Sequence, residues 1–367
     1  LEYYDAKEEV PREDVEKMAK LGLMGIPIPR EYGGAGLGEL AYAIVLEELG
    51  RVSSSHATIV GAHCGITAVP LWLFGTEEQR KKYLPKMARG EWIGAHALTE
   101  PNAGSDVASL QTTAVKKGNE YILNGSKIFI SNGDIADVFL VFATTNRALG
   151  PAGMVALIVE RDMPGITVIS KHEKMGIRAS SQAELSFDNV RVPEENVLGK
   201  VGQGMIVALT ALDGGRVTLA AGSIGATQGL LDTMVFYAKH SRRLGKSLKD
   251  DELAMWAIAE TAAELEAARF LIYHSVVMVD KYYKMLAAGK KVPRSFRERV
   301  TRMSAMSKFF ASEVATRAAD RALKLIGEPS IIRGLALERL YRDSIIAEIY
   351  EGTNEIQRYI VARDLLR

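Results

Sequence analysis

The stretch Ala97-Leu-Thr-Glu-Pro-Asn-Ala-Gly-Ser-Asp106 lies where the sequence pattern changes from helices to strands. Before it, apolar residues recur at helical spacing, and after it short β-branched and aromatic runs alternate with turn residues. Its small residues, hydroxyls and glycine expose backbone N–H groups, which can hold an anion or a planar ring. An ordinary capped turn has a similar composition, so the stretch by itself leaves both interpretations open.

Around this stretch the chain divides into three segments. Residues 1–91 contain apolar stretches typical of helices, such as Ile59–Phe74, and predict an N-terminal helical domain. Residues 92–200 hold strand-length runs with no long helical pattern between them, which predicts an antiparallel sheet or small barrel. Residues 201–367 return to helical spacing and predict a helix bundle. The predicted fold is mainly α with a central antiparallel β-domain.

The strongest local turn signal in the β segment is Asn124-Gly125, which lies inside the run from Tyr121 to Ile130. Asn-Gly between two apolar runs is the preferred sequence of a two-residue hairpin turn. We therefore predict a β-hairpin whose turn is formed by these two residues.

The charges of the chain nearly cancel, since 46 Lys and Arg residues oppose 45 Asp and Glu residues. Nucleic acid and anionic membrane surfaces need a basic excess, so neither is expected as the main partner. No apolar run approaches the roughly 18 residues of a membrane-spanning helix, and no membrane insertion is expected. The single cysteine, Cys64, cannot form an internal disulfide. We expect a soluble protein of the cytoplasm in a prokaryote or of the mitochondrial matrix in a eukaryote.

Patterns typical of nucleotide and metal sites are incomplete in this sequence. Gly34-Ala-Gly-Leu-Gly38 lacks the spacing of a dinucleotide-binding loop. Gly245-Lys-Ser247 resembles the end of a phosphate-binding loop, but His240 stands where its first glycine belongs. The six histidines show no metal-ligand spacing, so no metal site is predicted.

Two further segments carry chemistry-bearing residues. Lys127-Ile-Phe-Ile-Ser-Asn-Gly133 reads as a strand that ends in a hydroxyl, an amide and a glycine, which also describes an ordinary strand end. In Ile349-Tyr-Glu-Gly-Thr-Asn-Glu355 a carboxylate lies between an apolar helical run and a glycine, and Thr353 can cap the last helix. Apolar surroundings raise the pKa of a carboxyl group and suit it to general-base catalysis. The alternative is a solvated glutamate at a helix end.

Taken together, Leu98–Asp106, Phe129-Ile-Ser-Asn-Gly133 and Tyr350-Glu-Gly-Thr353 resemble the motifs of the acyl-CoA dehydrogenase family in residues, order and separation. The resemblance extends over nearly the whole chain. It implies an N-terminal helical domain, a central β-domain and a C-terminal four-helix bundle, in agreement with the three segments above.

The resemblance also implies an activity, namely FAD-dependent α,β-dehydrogenation of a saturated acyl-CoA to the trans-2-enoyl-CoA. Glu351 corresponds to the family's general base, which takes the α-proton while the β-carbon gives a hydride to flavin N5. In the family, the backbone N–H of the base and a flavin hydroxyl polarise the thioester oxygen. The electrons then pass to an electron-transfer flavoprotein, and the implied assembly is a homotetramer, a dimer of dimers.

The site residues implied by the resemblance fall into three groups. Those matching flavin-ring positions are His96, Leu98, Thr99, Ser105, Phe129, Ile130 and Ser131. Those matching acyl-CoA positions are Ser105, Asp213, Arg216 and Gly352. Thr353 and Glu355 match positions near the FAD phosphate and adenosine end.

Four positions depart from the family pattern, and all belong to the part that receives the FAD tail across a subunit interface: Ser241, Glu252, Lys324 and Glu328. In one explanation Arg242, Arg243 or Lys324 replaces a missing arginine and FAD binds in a modified way, which the intact flavin-ring motifs favour. In the other, the tail site has decayed. The alternatives to the main prediction are therefore a flavin-poor or partner-dependent subunit without independent catalysis, and an acyl-CoA oxidase or reductase.

Overall fold

The computed structural model describes residues 1–243 and 245–367. Its first part is helical, and the helices there are α1 Glu2–Lys7, α2 Arg12–Lys20, α3 Gly38–Val52, α4 Ser54–Val60, α5 Val69–Phe74 and α6 Glu77–Ala88. Between α4 and α5 the same helical rod contains a π-helical segment, Gly61–Ala68. π-Helical segments within α-helices often occur at functional sites.

The middle of the chain forms a sheet with the order β6-β7-β3-β2-β4-β5-β8, and β1 pairs with β4. Its strands are β1 Gly94–Ala97, β2 Thr113–Lys117, β3 Glu120–Ser131, β4 Val138–Thr144, β5 Met154–Glu160, β6 Ile166–Lys171, β7 Gln182–Pro193 and β8 Val197–Leu198. Most pairs are antiparallel, but β1–β4 and the short β2–β4 contact are parallel. The sheet is therefore mixed rather than purely antiparallel.

The predicted hairpin turn at Asn124-Gly125 is wrong. Strand β3 runs through both residues, and the turn between β2 and β3 is formed by Gly118 and Asn119. Gly125 instead lies at an irregularity in the pairing of β3 with β7. A side chain there would lie 2.8 Å from the Cα of Thr112. The glycine thus serves a close approach of two backbone segments, which is a common use of glycine in a strand.

The last part of the chain is again helical. Its helices are α7 Gly204–His240, α8 Glu252–Ala287, α9 Arg294–Ile326, α10 Ala336–Ile346 and α11 Asn354–Leu365, with the short strand pair β9 Arg242–Arg243 and β10 Lys246–Ser247 after α7. Helices α7, α8 and α9 pack against one another, and α11 packs on α9. The predicted class, helical with a central sheet, is confirmed.

Within residues 1–243 and 245–367, two helical stretches are long and apolar enough to span a membrane, Ser54–Phe74 and Gly204–His240. The expectation that no apolar run approaches about 18 residues is therefore wrong. Glycines and hydroxyl-bearing residues interrupt both stretches, but they leave the mean hydropathy high enough for a membrane-spanning helix. In each stretch, 72% of the most apolar window is buried inside the protein. This burial is typical of a core helix.

Candidate active site

A cavity of about 700 Å³ lies where the N-terminal helices, the sheet and the C-terminal helices meet. Ten of the residues singled out in the sequence line it: His96, Leu98, Thr99, Ser105, Phe129, Ser131, Arg216, Glu351, Gly352 and Thr353. Five others do not, namely Ile130, Asp213, Glu355, Arg243 and Lys324. The fold thus brings the three sequence motifs together around one space.

The loop that carries Thr99 and Ser105 is fastened to β3 by a buried ion pair. The Lys127 ammonium lies 2.7 Å from the Glu100 carboxylate and also donates to the Leu98 carbonyl at 3.0 Å. The Glu100 carboxylate further accepts from the backbone N–H groups of the segment that leads into β2. Burial lowers the pKa of Lys127 to about 8, and Glu100 opposes the shift. The pair positions the loop, a role that the motif alone did not indicate.

His96, at the end of β1, presents an unpaired nitrogen. Its Nδ1 lies 2.8 Å from the carbonyl of Ile66 in the π-helical segment, which assigns the proton to Nδ1. Its Nε2 is buried and has no partner among the described residues. Burial lowers the pKa of His96 to about 4, so the ring is neutral at neutral pH. Nε2 is therefore a hydrogen-bond acceptor on a side chain that lines the cavity.

The end of β3 is irregular where its side chains reach the cavity. Phe129 has a φ of 59° and Asn132 a φ of 62°, both in the left-handed region that non-glycine residues rarely adopt. The Phe129 ring is half exposed and packs on His172 with centroids 5.1 Å apart. Ser131 lines the cavity, whereas the Ile130 side chain is buried in the sheet core. The Ile130 side chain does not line the cavity, and the flavin contact of this residue stays a prediction.

Glu351 lies in the turn between α10 and α11 and has a φ of 55°. Gln357 holds this turn, because its side-chain amide donates to the carbonyls of Glu351 at 3.2 Å and Gly352 at 2.8 Å. The Oε2 atom of Glu351 is buried and has no partner among the described residues. A side chain at Gly215 of α7 would overlap this oxygen and lie 2.9 Å from the carboxyl carbon. Gly215 therefore leaves the space that the carboxyl group occupies.

Burial raises the pKa of Glu351 to about 7, and the positive charges of Arg216 and Lys308 oppose this shift. The sequence-based expectation of a raised pKa agrees with this environment. A carboxyl group with a pKa near neutrality can accept a proton and later release it, which is what a general base requires.

Arg216 and Asp213 form a buried pair on α7. The Arg216 guanidinium lies 3.1 Å from the Asp213 carboxylate, which also accepts from the Thr301 hydroxyl at 2.7 Å. Burial raises the pKa of Asp213, although Arg216 opposes the shift. Only Arg216 reaches the cavity wall. Asp213 itself does not line the cavity, and its predicted contact with CoA stays a prediction.

Of the residues predicted for the FAD tail, Thr353 lines this cavity, whereas Arg243, Lys324 and Glu355 lie outside it. Arg243 donates to the Leu325 carbonyl at 2.6 Å, and Lys324 pairs with Asp320 at 2.7 Å on an exposed helix face. Glu355 is exposed in the first turn of α11, where Thr353 caps the helix by accepting from the Ile356 N–H.

The remaining three departures also lie at element ends. Ser241 follows α7, Glu252 begins α8, and Glu328 lies in a short turn after α9.

Sequence reasoning missed several cavity residues that come from facing helices. Small residues of α4, α7 and the C-terminal end of α10 form part of the wall. Those residues are Ala57 on α4, Gly222 and Ala226 on α7, and Ser344 and Ala347 at the end of α10. No motif marks them, because each reaches the cavity only through helix packing. The glycines of α7 are the one available signal, since Gly222 and Gly225 lie against the backbone of α3.

The whole chain matches models of one protein family. The N-terminal domain model of the acyl-CoA dehydrogenases matches residues 1–91, the middle domain model residues 95–190, and the C-terminal domain model residues 202–366.

Individual relatives are similar over nearly their full length. An acyl-CoA dehydrogenase of Bacillus subtilis is 41% identical and the alignment covers 100% of this chain and 92% of the relative. A short-chain specific acyl-CoA dehydrogenase of Clostridium acetobutylicum is 40% identical, with 99% and 92% covered. An acryloyl-CoA reductase (NADH) of Anaerotignum propionicum is also 40% identical, with 100% and 89% covered.

Solved structures agree with this result. Butyryl-CoA dehydrogenase from Megasphaera elsdenii superposes with a TM-score of 0.93 at 36% identity, covering 100% of this chain and 93% of that one. A chain from a study of the electron transferring flavoprotein of Acidaminococcus fermentans has the same TM-score at 40% identity, with 100% and 92% covered. The resemblance seen in the motifs is confirmed, and the chain belongs to the acyl-CoA dehydrogenase family.

Proposed function

We propose that this protein catalyses the FAD-dependent α,β-dehydrogenation of a short-chain saturated acyl-CoA and passes the electrons to an electron-transfer flavoprotein. The observation that carries the proposal is the unpaired, buried carboxylate oxygen of Glu351, on a side chain that lines a cavity together with the Thr99 and Ser131 loops. The relatives named for short-chain and butyryl substrates support the substrate class.

The residues of the cavity fit a flavin. Thr99 and Ser131 supply hydroxyls, His96 supplies an unpaired acceptor nitrogen, and Phe129 supplies an aromatic face at the edge. These are the donor, acceptor and stacking groups that a planar heteroaromatic ring requires. When bound, FAD supplies the acceptor for the hydride that leaves the β-carbon of the substrate.

Glu351 acts as the general base in this proposal. Its carboxylate removes the α-proton of the acyl chain, which a carboxyl pKa of about 7 permits at neutral pH. No hydrogen bond within the described chain uses the Glu351 backbone N–H, so it is free to donate to the thioester oxygen and stabilise the charge that develops there. Gly352, with no side chain, leaves room for the thioester beside the base.

Surrounding residues give the base an apolar wall and a nearby positive charge. Leu98, Leu212 and Ile349 contribute the apolar surface, against which a bound acyl chain would displace water from the carboxyl group. The Arg216 guanidinium, held by Asp213, favours the ionised form of Glu351. The wall residue Ala57 carries no cation, which argues against an acyl chain that ends in a second carboxylate.

The proposal includes a homotetramer in the bacterial cytoplasm or the mitochondrial matrix, with Arg242, Arg243 or Lys324 receiving the FAD tail of a neighbouring subunit. Exposed apolar side chains on α8 support an assembly, because Leu253, Trp256 and Phe270 are 61–76% exposed in the single chain. Bacterial and mitochondrial relatives support the location.

The experiment that tests the proposal is an anaerobic titration of the yellow holoprotein with butyryl-CoA. Bleaching of the flavin absorbance, followed by recovery when an electron-transfer flavoprotein is added, supports it. A colourless protein that takes up no added FAD contradicts it and favours a partner-dependent subunit.

The second candidate is reduction of a short enoyl-CoA, which the similarity to an acryloyl-CoA reductase favours. Protonated Glu351 would then give a proton to the α-carbon. The two directions are separated by comparing flavin reduction by butyryl-CoA with oxidation of the reduced flavin by acryloyl-CoA. An oxidase is recognised instead by rapid reoxidation of the flavin by oxygen alone.

A further inference from the structure

Lys308, in the middle of α9, is fully buried and lies behind the turn that carries Glu351. Its ammonium donates to the Asn354 side-chain oxygen at 2.9 Å. Asn354 is the first residue of α11, and its backbone N–H donates to the Glu348 carbonyl at 2.9 Å. Lys308 is thus connected through one side chain to both ends of the turn that contains Glu351.

The same turn holds Glu351 in a conformation that needs support. A φ of 55° is unfavourable for glutamate, and such residues persist where neighbouring contacts fix them. Gln357 supplies contacts from α11, and Asn354 supplies the contact to α9. Asn354 also donates to the Ser312 hydroxyl at 3.0 Å, so the link to α9 has two points.

Two cations from different helices act on Glu351, Arg216 of α7 and Lys308 of α9, and only one of them is in an ion pair within the described chain. Arg216 of α7 is paired with Asp213 at 3.1 Å. No carboxylate of the described chain lies within 4.0 Å of the Lys308 ammonium. Tyr42 of α3 and the adjacent Tyr350 are neutral, because burial raises both phenol pKa values.

The carboxylates of Glu348 and Glu355 raise the pKa of Lys308 through space, and the positive charge of Arg216 lowers it. Burial lowers the pKa of Lys308 to about 8, and Glu351 opposes this shift, so the side chain remains charged at neutral pH. Within the described chain, Lys308 is therefore a buried positive charge without a directly bonded counter-ion, and it acts through space on the Glu351 carboxyl group.

We propose that Lys308 is a positioning residue for the base: through Asn354 it fixes the turn of Glu351, and through its charge it keeps the Glu351 carboxylate ionised before substrate binds. This inference rests on the proposed role of Glu351 as the base. It adds a second, independent cation to the one on Arg216.

The test compares Lys308→Gln, which removes the charge and keeps a donor for Asn354, with Asn354→Ala, which removes the link and keeps the charge. The control is Arg294→Met, which removes an exposed cation from the same helix. Flavin reduction by butyryl-CoA is measured anaerobically by stopped flow on each holoenzyme, on both sides of neutral pH.

For Lys308→Gln we expect the apparent pKa of flavin reduction to rise by about one unit, because a nearby opposite charge has been removed. The rate then falls about tenfold on the acid side and recovers on the alkaline side. For Asn354→Ala we expect slower flavin reduction at every pH, with an unchanged apparent pKa. For Arg294→Met we expect neither the rate nor the apparent pKa to change.

A rate loss in Lys308→Gln that is the same at every pH overturns the charge role, and an unchanged profile overturns the whole inference. Glu351→Gln separates this inference from the proposal beneath it. If Glu351→Gln still reduces flavin at the normal rate, the base is elsewhere and both fail. If Glu351→Gln is inactive while Lys308→Gln keeps the normal pH profile of flavin reduction, only the inference about Lys308 is wrong.

Discussion

At the scale of single residues, the chemistry depends on where one carboxyl group is held. The Oε2 atom of Glu351 is buried at the cavity wall and has no hydrogen-bond partner among the described residues. Both conditions favour the neutral acid, and only the cations on α7 and α9 oppose them. The protonation state of this group is therefore the quantity most sensitive to single substitutions.

Glu351→Gln tests the base. The amide has the same shape and cannot accept the α-proton, so we expect normal binding of FAD and butyryl-CoA. Flavin reduction should be about a thousandfold slower, in the middle of the 10²–10⁴-fold range typical of general-base catalysis. Binding is measured by the spectral shift of the oxidised flavin and reduction by anaerobic stopped flow. A variant that reduces flavin at the normal rate contradicts the assignment.

The pH dependence of the same step follows from the pKa of about 7. The carboxylate form accepts the proton, so the rate of flavin reduction in the wild type should rise as pH increases through about 7 and then level off. The measurement is the rate constant of flavin reduction at low butyryl-CoA concentration, in the range where the rate is proportional to substrate, because this quantity reports the pKa of the free enzyme. A rate that falls with rising pH over this range contradicts a carboxylate base.

Gly215→Ala tests the space around the base. The added methyl group would overlap the Glu351 carboxyl group, so the carboxyl must rotate away and we expect a large loss of kcat with FAD retained. The control is Gly222→Ala, where the nearest atom to the added methyl is 3.7 Å away and little change is expected. Equal activity of the two variants would contradict this account.

At the scale of elements, loops and strands take their shape from long-range pairing. The Leu98–Asp106 loop has backbone hydrogen bonds of its own between Glu100 and Ala103, and the Glu100–Lys127 pair anchors it to β3. The π-helical segment provides the carbonyl that orients His96. The cavity is thus assembled from elements that are distant in sequence.

Lys127→Met tests the anchor. Breaking a buried ion pair by removing one partner leaves an unpaired charge and costs about 3–5 kcal/mol. We expect a lower midpoint of denaturant unfolding and a faster loss of FAD. The control is Lys116→Met on the neighbouring strand β2, which removes the exposed ion-pair partner of Glu194. It should leave both the unfolding midpoint and the rate of FAD loss unchanged. Similar behaviour of the two variants would show that the anchor carries no special role.

Much of this arrangement could be predicted from sequence, and the failures have physical reasons. The three motifs indicated the family, and the apolar run before Glu351 indicated its raised pKa, because these signals are local. Asn124-Gly125 misled because pairing with β7 overrides the local turn preference. Gly215 and Lys308 escaped notice because their importance comes from side chains on other helices. Asp213 matched a motif position, but in the fold it pairs with Arg216 and Thr301 and does not line the cavity.

At the scale of the whole molecule, three parts of the chain each supply a wall of one cavity. No part contains all of the cavity-lining residues. The first part supplies Ala57, the middle part supplies Thr99 and Ser131, and the last part supplies Glu351. Activity therefore requires the parts to remain packed against one another.

Phe270→Glu tests the proposed assembly. A charge on this exposed apolar position of α8 should disrupt a subunit interface, so we expect smaller species in sedimentation velocity than the wild type shows. Helical content measured by circular dichroism should stay unchanged, because the residue is 76% exposed in the single chain. An identical sedimentation coefficient would place any interface elsewhere.

The contact between Gly215 and Glu351 has one further consequence, for how this sequence can change over time. A side chain at 215 would occupy the position of the Glu351 carboxyl oxygen, so it would displace the carboxyl group from its working position. Substitutions at the two positions should therefore be epistatic: alanine at 215 should lower kcat while residue 351 carries the base, and should change little in Glu351→Gln, where the base is already lost. Gly215 on α7 and Glu351 in the turn after α10 are therefore expected to change together.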